Sequence, residues 1–130
     1  MIKSLLRNIA KRIRGIEVDT NTDSVSVSNN SFTEITRFTV PSGIWMINVA
    51  VQFDTNATGI RRVQLASTSG GSYGIRASAN YNAVSGTQTI VHIPYPIVLS
   101  AERTFVVNAL QNSGASLYAT ARIASVGIKL

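Results

Sequence analysis

The 130-residue chain contains no cysteine and a single histidine, His92. Without thiols there is no disulfide framework, no thiolate zinc site and no thiol nucleophile. One imidazole excludes a histidine-rich metal site within one chain. Charge is scarce as well: 14% of residues are charged, against a usual share of about 25%. Together with 45% apolar residues this argues against disorder, because such a chain buries enough surface to offset its ordering entropy. No stretch approaches the roughly 20 apolar residues of a membrane span; residues 43–53 are too few. Arg7, Lys11, Arg12 and Arg14 interrupt what would be the apolar run of a secretory signal, so synthesis in the cytosol is expected. The length fits one domain with a short appendage.

The charge that is present is unevenly placed. Of the formal +6, five positive side chains (Lys3, Arg7, Lys11, Arg12 and Arg14) fall in the first 14 residues, with no acidic one among them. The other seven basic and six acidic side chains leave residues 15–130 at a net +1. A near-neutral body argues against nucleic-acid binding by the whole domain. Within residues 1–16, Ile2, Leu6, Ile9, Ile13 and Ile16 recur at spacings of 4, 3, 4 and 3, a two-position heptad stripe. Leu5 widens the stripe, and the basic residues form its outer face. β-Branched residues at d favour three or four helices over a parallel pair. Two heptads are marginal alone, so the helix needs a partner. Self-association or docking onto an acidic partner accounts best for the spacing. Packing on its own domain, an anionic membrane surface and phosphate contacts are the alternatives.

Residues 17–31 are polar, a linker in which Val25 and Val27 allow one short edge strand. Asp19-x-Asn21-x-Asp23 has the spacing of a calcium loop's opening. Ser24 stands where that loop needs Gly, however, and Asn30 where it needs the bidentate Glu. A solvated linker explains the stretch better.

From Phe32 the period becomes two. Phe32–Val40 alternates and stops at Pro41-Ser42-Gly43. In Ile44–Asp54, residues Trp45, Ile47, Val49, Val51 and Phe53 share one face. Arg61–Ser67, Tyr73–Tyr81, Thr87–Ile93, Tyr95–Leu99, Thr104–Leu110 and Leu117–Leu130 follow, separated by Gly, Asn and Ser turns. Pro94 and Pro96 limit Tyr95–Leu99 to an edge strand or a strand start. About eight short strands with no helix between them predict an antiparallel sandwich or barrel over residues 32–130.

Catalysis is poorly supplied. Glu34, Asp54 and Glu102 show no spacing that would bring two carboxylates to one cleft, and His92 reads as a strand residue held in place by packing or a hydrogen bond. No activity and no cofactor are expected. Arg61, Arg62 and Arg76 are balanced by acidic residues and read as exposed or inter-subunit side chains. Asn29-Asn30-Ser31 and Asn56-Ala57-Thr58 fit the glycosylation pattern, which means little without secretion.

The run Phe38–Phe53, with Pro41-Ser42-Gly43-Ile44-Trp45 feeding a long strand, resembles the opening of the complement-type globular head, a tumour necrosis factor-like jelly roll. Pro96–Leu117, with its Gln111-Asn112-Ser113-Gly114 turn, and the closing Ala124–Leu130 are similar to that family in the same order. Glu102-Arg103 stands where Gly-Asp is usual, so no metal ligand is implied there. The resemblance implies a ten-strand jelly roll assembling as a homotrimer, of the kind found in bacteriophage fibre, baseplate and head-decoration proteins.

The expectation is therefore a bacteriophage virion protein with a helical anchor over 1–16, a linker over 17–31 and a jelly-roll head over 32–130. Other virion proteins would hold the anchor. A host-surface glycan or protein would meet loops carrying Asn56, Thr58, Ser72, Tyr73, Asn112 and Ser116. The rivals are a cellular carbohydrate- or protein-binding module and a protein that uses its basic helix on membranes.

Overall fold

In the computed structural model the period-two alternation becomes strand after strand. Residues 2–5, 18–22, 24–69 and 72–130 are described. The strands are β1 (Val18–Asn21), β2 (Val25–Val27), β3 (Thr33–Val40), β4 (Gly43–Phe53), β5 (Ile60–Ser69), β6 (Ser72–Asn82), β7 (Thr89–Leu99), β8 (Arg103–Gln111) and β9 (Leu117–Lys129). One sheet has the order β1-β9-β4-β7, with β2 also on β9, and the other has the order β3-β8-β5-β6. Every strand pair is antiparallel. The chain crosses repeatedly from one sheet to the other, which makes the domain a jelly-roll sandwich. Nine strands stand among the described residues where the resemblance implied ten.

The core lies between the sheets. Trp45, Ile47, Val49, Val51 and Phe53, the face named from the alternation, are buried against Val63, Leu65, Phe105, Val107, Ala121 and Ile123. Phe38 stacks on Phe105 with ring centroids 5.6 Å apart. Trp45 fills the core with its ring and donates Nε1–H to the Pro41 carbonyl at 2.9 Å, so its one polar atom is satisfied. Gly127 lets β9 approach β4 at that point, because a Cβ there would drive into the Ile44 carbonyl oxygen and the Trp45 backbone.

The segment expected as a linker belongs to the sandwich. Val18–Asn21 pairs with Arg122–Ser125, and Val25–Val27 with Leu117–Ala119. The reason is local: Val27 is fully buried and Val25 packs against the core, so this polar stretch still contributes two apolar anchors at strand spacing. Asp19 and Asn21 lie in extended β1, not in a turn.

Pro94 and Pro96 do not divide Thr87–Ile93 from Tyr95–Leu99; both lie inside a continuous β7. Among the described residues β7 is the edge of its sheet and pairs only with β4. Leu130 N–H donates to the Ser42 carbonyl and Asp54 N–H to the Tyr118 carbonyl, so even-numbered residues of β4 bond toward β9 and odd-numbered ones toward β7. Pro94 and Pro96, opposite Asn48 and Met46, therefore turn their ring nitrogens to the open side and no ladder bond is lost.

At the N-terminus, Ile2–Leu5 is helical, with Ile2 and Leu5 exposed. The rest of the expected helix, with Leu6, Ile9, Ile13 and Ile16 and the basic Arg7, Lys11, Arg12 and Arg14, lies outside the described residues; Lys3 is exposed.

Candidate interaction surfaces

Two surfaces stand out, a polar end and an apolar face. The polar end gathers the loops between β2 and β3, β4 and β5, β6 and β7, and β8 and β9. Its organiser is Arg61. Inward-facing positions alternate along β5, and Arg61 shares its side with Val63 and Leu65, so its side chain is driven into the sandwich, where it is 0% exposed. This corrects the expectation of an exposed or inter-subunit arginine. Its guanidinium donates to the carbonyls of Thr58 (2.9 Å), Ile60 (3.0 Å) and Asn56 (2.9 Å), and sits 5.9 Å from the centre of the Phe53 ring. Nε is buried without a partner. No carboxylate faces this cation among its described contacts; carbonyl dipoles and the ring face offset its burial instead. Desolvation lowers the Arg61 pKa from the usual arginine value.

Gln111 plays the matching part on β8. Fully buried, it donates Nε2–H to the carbonyls of Val27 and Ala115 and accepts the Ser113 N–H on Oε1 at 2.8 Å. Its own carbonyl accepts the Asn30 N–H at 2.8 Å. Asn29 Oδ1 accepts the Gly114 N–H at 2.9 Å, and Asn112 Oδ1 the Ile60 N–H at 2.6 Å. Asn56 Oδ1 closes an Asx turn by accepting the Thr58 N–H at 2.9 Å. Gly59, at φ +82°, passes so close to Asn112 that a Cβ would strike it.

The candidate contact residues are therefore divided. Asn56, Thr58, Asn112 and Ser116 meet at this end. Ser72 and Tyr73, which pair with Ser69 and Thr68, lie at the opposite end, since Thr68 also pairs with Thr104 at the start of β8. A sequence read loop by loop cannot say which end of the sandwich each turn occupies. Asn112 and Asn56 use their side-chain oxygens to shape the loops, while Thr58 and Ser116 are exposed. Sequence reasoning does not reach Arg61, Gln111 and Asn29 in these roles. The one available signal is Arg61 and Gln111 standing at inward positions of otherwise apolar strands.

The apolar surface is the outer face of the β7-β4-β9 layer. Register sets it out in cross-strand rows: Val98–Ile44–Ile128, Pro96–Met46–Val126, Pro94–Asn48–Ala124, His92–Ala50–Arg122 and Ile90–Gln52–Thr120. The first two rows are wholly apolar. Val98 is 71% exposed, and Ile44, Met46 and Val126 are exposed too. Where the rows narrow to Ala50 and Ala124, two adjoining depressions of about 440 and 410 Å³ form, both bordered by His92 and Arg122. His92, expected to be held within a strand, is exposed on this face. Contiguous apolar area of this kind is typical of interaction surfaces. Among the described residues, no group of three or more His, Cys, Asp or Glu could hold a metal.

No family model and no curated protein matches the sequence. Solved structures do share the fold. A chain of infectious bursal disease virus, Gx strain, superposes with a TM-score of 0.67 at 11% identity, over 88% of this chain and 33% of the viral one. VP2 in a subviral particle of the same virus gives 0.64 at 9% identity, over 88% and 33%. Eiger, a tumour necrosis factor of S. frugiperda, gives 0.57 at 12% identity, over 88% of this chain and 92% of that one. The chain thus spans about a third of the viral proteins' length and nearly all of the tumour necrosis factor. At these identities the likeness defines a class by fold, the jelly roll shared by viral particle proteins and tumour necrosis factors.

Proposed function

We propose that the chain is a virion structural protein, a bacteriophage fibre, spike or decoration head. It assembles as a homotrimer through the outer face of β7, β4 and β9 and displays its polar loop end. The observation that carries this is the pair of adjacent rows Val98–Ile44–Ile128 and Pro96–Met46–Val126, apolar throughout and turned to solvent in a single chain. Apolar rows on a sheet face are stabilised by burial against another subunit.

The direction of the chain supports an anchor-and-display arrangement. Val18 pairs with Ser125 and Asn21 with Arg122, so the chain enters the sandwich from the end opposite Asn56 and Asn112. The basic stripe of residues 1–16 then docks on other virion proteins at one end, while Thr58 and Ser116 meet a host glycan or protein at the other. The role is assembly and adhesion, not catalysis, and needs no cofactor. Neither nucleic acid nor a membrane is the expected partner of the body, because residues 15–130 carry a net charge of only +1. Similar folds in particles of infectious bursal disease virus agree with a virion location.

Light scattering on the full chain at micromolar concentration tests this. The expected mass is three times the 13.9 kDa of the chain; a monomer would overturn the proposal.

A further inference from the structure

A sandwich of two open sheets has four edges, and an edge strand is a template for another strand unless something blunts it. Three of the four are blunted here. β7 turns the ring nitrogens of Pro94 and Pro96 to its open side. β3 carries the exposed Glu34–Arg37 ion pair and an irregularity between Glu34 and Thr36. β1 and β2 are short and interrupted between Asn21 and Val25.

β6 differs along its length. Leu65 pairs with Ala77 and Ala66 with Ile75, which leaves Arg76 as an extra residue in a bulge; a bulge and a charge thus guard the first half. From Ala77 to Asn82 the strand is in regular register with β5 and holds no charge, no proline and no bulge. Nothing among the described residues pairs with its other side.

The orientation of this edge is fixed. Ala83 N–H donates to the Gly59 carbonyl at 2.9 Å, so odd-numbered residues here bond toward β5. The N–H and C=O groups of Ser78, Asn80 and Asn82 therefore face outward. Side chains alternate as well: Ala77 and Ala79 pack toward the core, while Ser78, Asn80 and Asn82 are exposed.

We propose that Ala77–Asn82 is an association edge whose occupant is the same segment of a second copy, running antiparallel across a twofold axis at Asn80. The segment is complementary to itself in that register. Asn80 meets Asn80 of the copy, and Ser78 meets Asn82, so all the outward main-chain groups find partners. The facing side chains are short, uncharged amides and hydroxyls. On the other face Tyr81, which is exposed, lies over Ala79 of the copy. No like charges oppose each other, which is the feature that destabilises mismatched cross-strand pairs. A charged or proline-bearing partner strand lacks this match, so a second copy is the occupant the chemistry favours. The contact is separate from the β7-β4-β9 face, and with that face in use it links one assembly to the next.

The absence of cysteine makes the test direct. Asn80→Cys places two thiols opposite each other at the axis, with Cα atoms about 5.5 Å apart, inside the disulfide range. Mild oxidation of the full-length N80C chain is expected to give a disulfide-linked dimer as the major species. Ser78→Cys and Asn82→Cys should each remain largely thiol alone, yet cross-link when mixed. Equal cross-linking of S78C with itself, or an N80C chain that stays thiol under the same oxidation, overturns the proposal. Asn80→Pro removes an outward N–H and no bond to β5, so the fold is kept; well above the micromolar concentrations at which the trimer stands alone, wild type should form species larger than the β7-β4-β9 assembly in light scattering, and Asn80→Pro should not. Introducing Met46→Lys into N80C separates the two contacts: a disulfide dimer that persists when the trimer is lost upholds the edge without the face.

Discussion

Strand β4 presents two faces of opposite fate. Odd-numbered residues from Trp45 to Phe53 are buried between the sheets, whereas Ile44, Met46, Asn48 and Gln52 are exposed to solvent. Three of the residues at the start of this strand, Ile44, Trp45 and Met46, are consecutive and apolar, yet only Trp45 contributes to the single chain's core. Hydrophobicity alone thus does not tell core from surface. The alternation does, and where outward-facing apolar residues of neighbouring strands line up in contiguous rows they form a candidate contact surface.

The comparison is broken most severely from the inside. Trp45→Ala removes the largest fully buried side chain and its bond to Pro41. We expect a loss of about 3–5 kcal/mol, read as a fall in the denaturant midpoint. That is a large share of the 5–15 kcal/mol or so that holds most domains together.

Arg61→Met should cost less, about 1–3 kcal/mol, because three carbonyls lose their donor while a chain of similar length still fills the space. The loss should be local: amides of residues 54–60 should exchange faster with solvent while those of β4 keep their protection. The pH dependence has a definite sign. Arg61 has a lowered pKa, so folding disfavours its charged form, and that cost is relieved only as pH rises above the folded value. Arginine stays protonated at ordinary pH, so the stability difference between wild type and Arg61→Met should be flat from mildly acid to mildly alkaline solution. Gly127→Ala tests the same interior from the other side. The added methyl meets the Ile44 carbonyl and the Trp45 backbone, and overpacking of this sort costs about 1–3 kcal/mol.

What was legible in the sequence follows the same division. The inner row of β4 could be read residue by residue, because a strand with one buried face writes its environment into a period of two. The short strands β1 and β2 could not, since their anchors Val25 and Val27 stand among Ser, Thr, Asn and Asp, and it is pairing with β9 that holds them. The prolines of β7 read as a break because only the topology reveals that their side of the strand is an open edge. The burial of Arg61 is hidden from the sequence for a related reason. A charge at an inward position signals exposure unless the partners are known, and its partners are main-chain carbonyls of a loop, which leave no mark on residue type. The apolar outer rows were likewise invisible until register brought Val98, Ile44 and Ile128 side by side from three distant parts of the chain.

The smallest effect on the fold comes from the outer face, and there the comparison is sharpened. Met46 is exposed and lies between Pro96 and Val126 in the second apolar row. Met46→Lys should leave the denaturant midpoint of the isolated chain within about 0.5 kcal/mol of wild type, as surface substitutions usually do. The same change puts an ammonium in the middle of the proposed trimer contact, where desolvating it costs several kcal/mol unless a carboxylate answers it. None of the cross-strand rows on β4, β7 and β9 carries one. Light scattering should therefore report three times the chain mass for wild type and a single chain for Met46→Lys, with far-ultraviolet circular dichroism unchanged. Val98→Lys, one row away on β7, should behave alike, whereas Thr58→Lys at the polar end should leave the assembly intact. A Met46→Lys trimer as stable as wild type would mean that the exposed apolar rows serve a different partner. A Thr58→Lys monomer would move the contact to the loops.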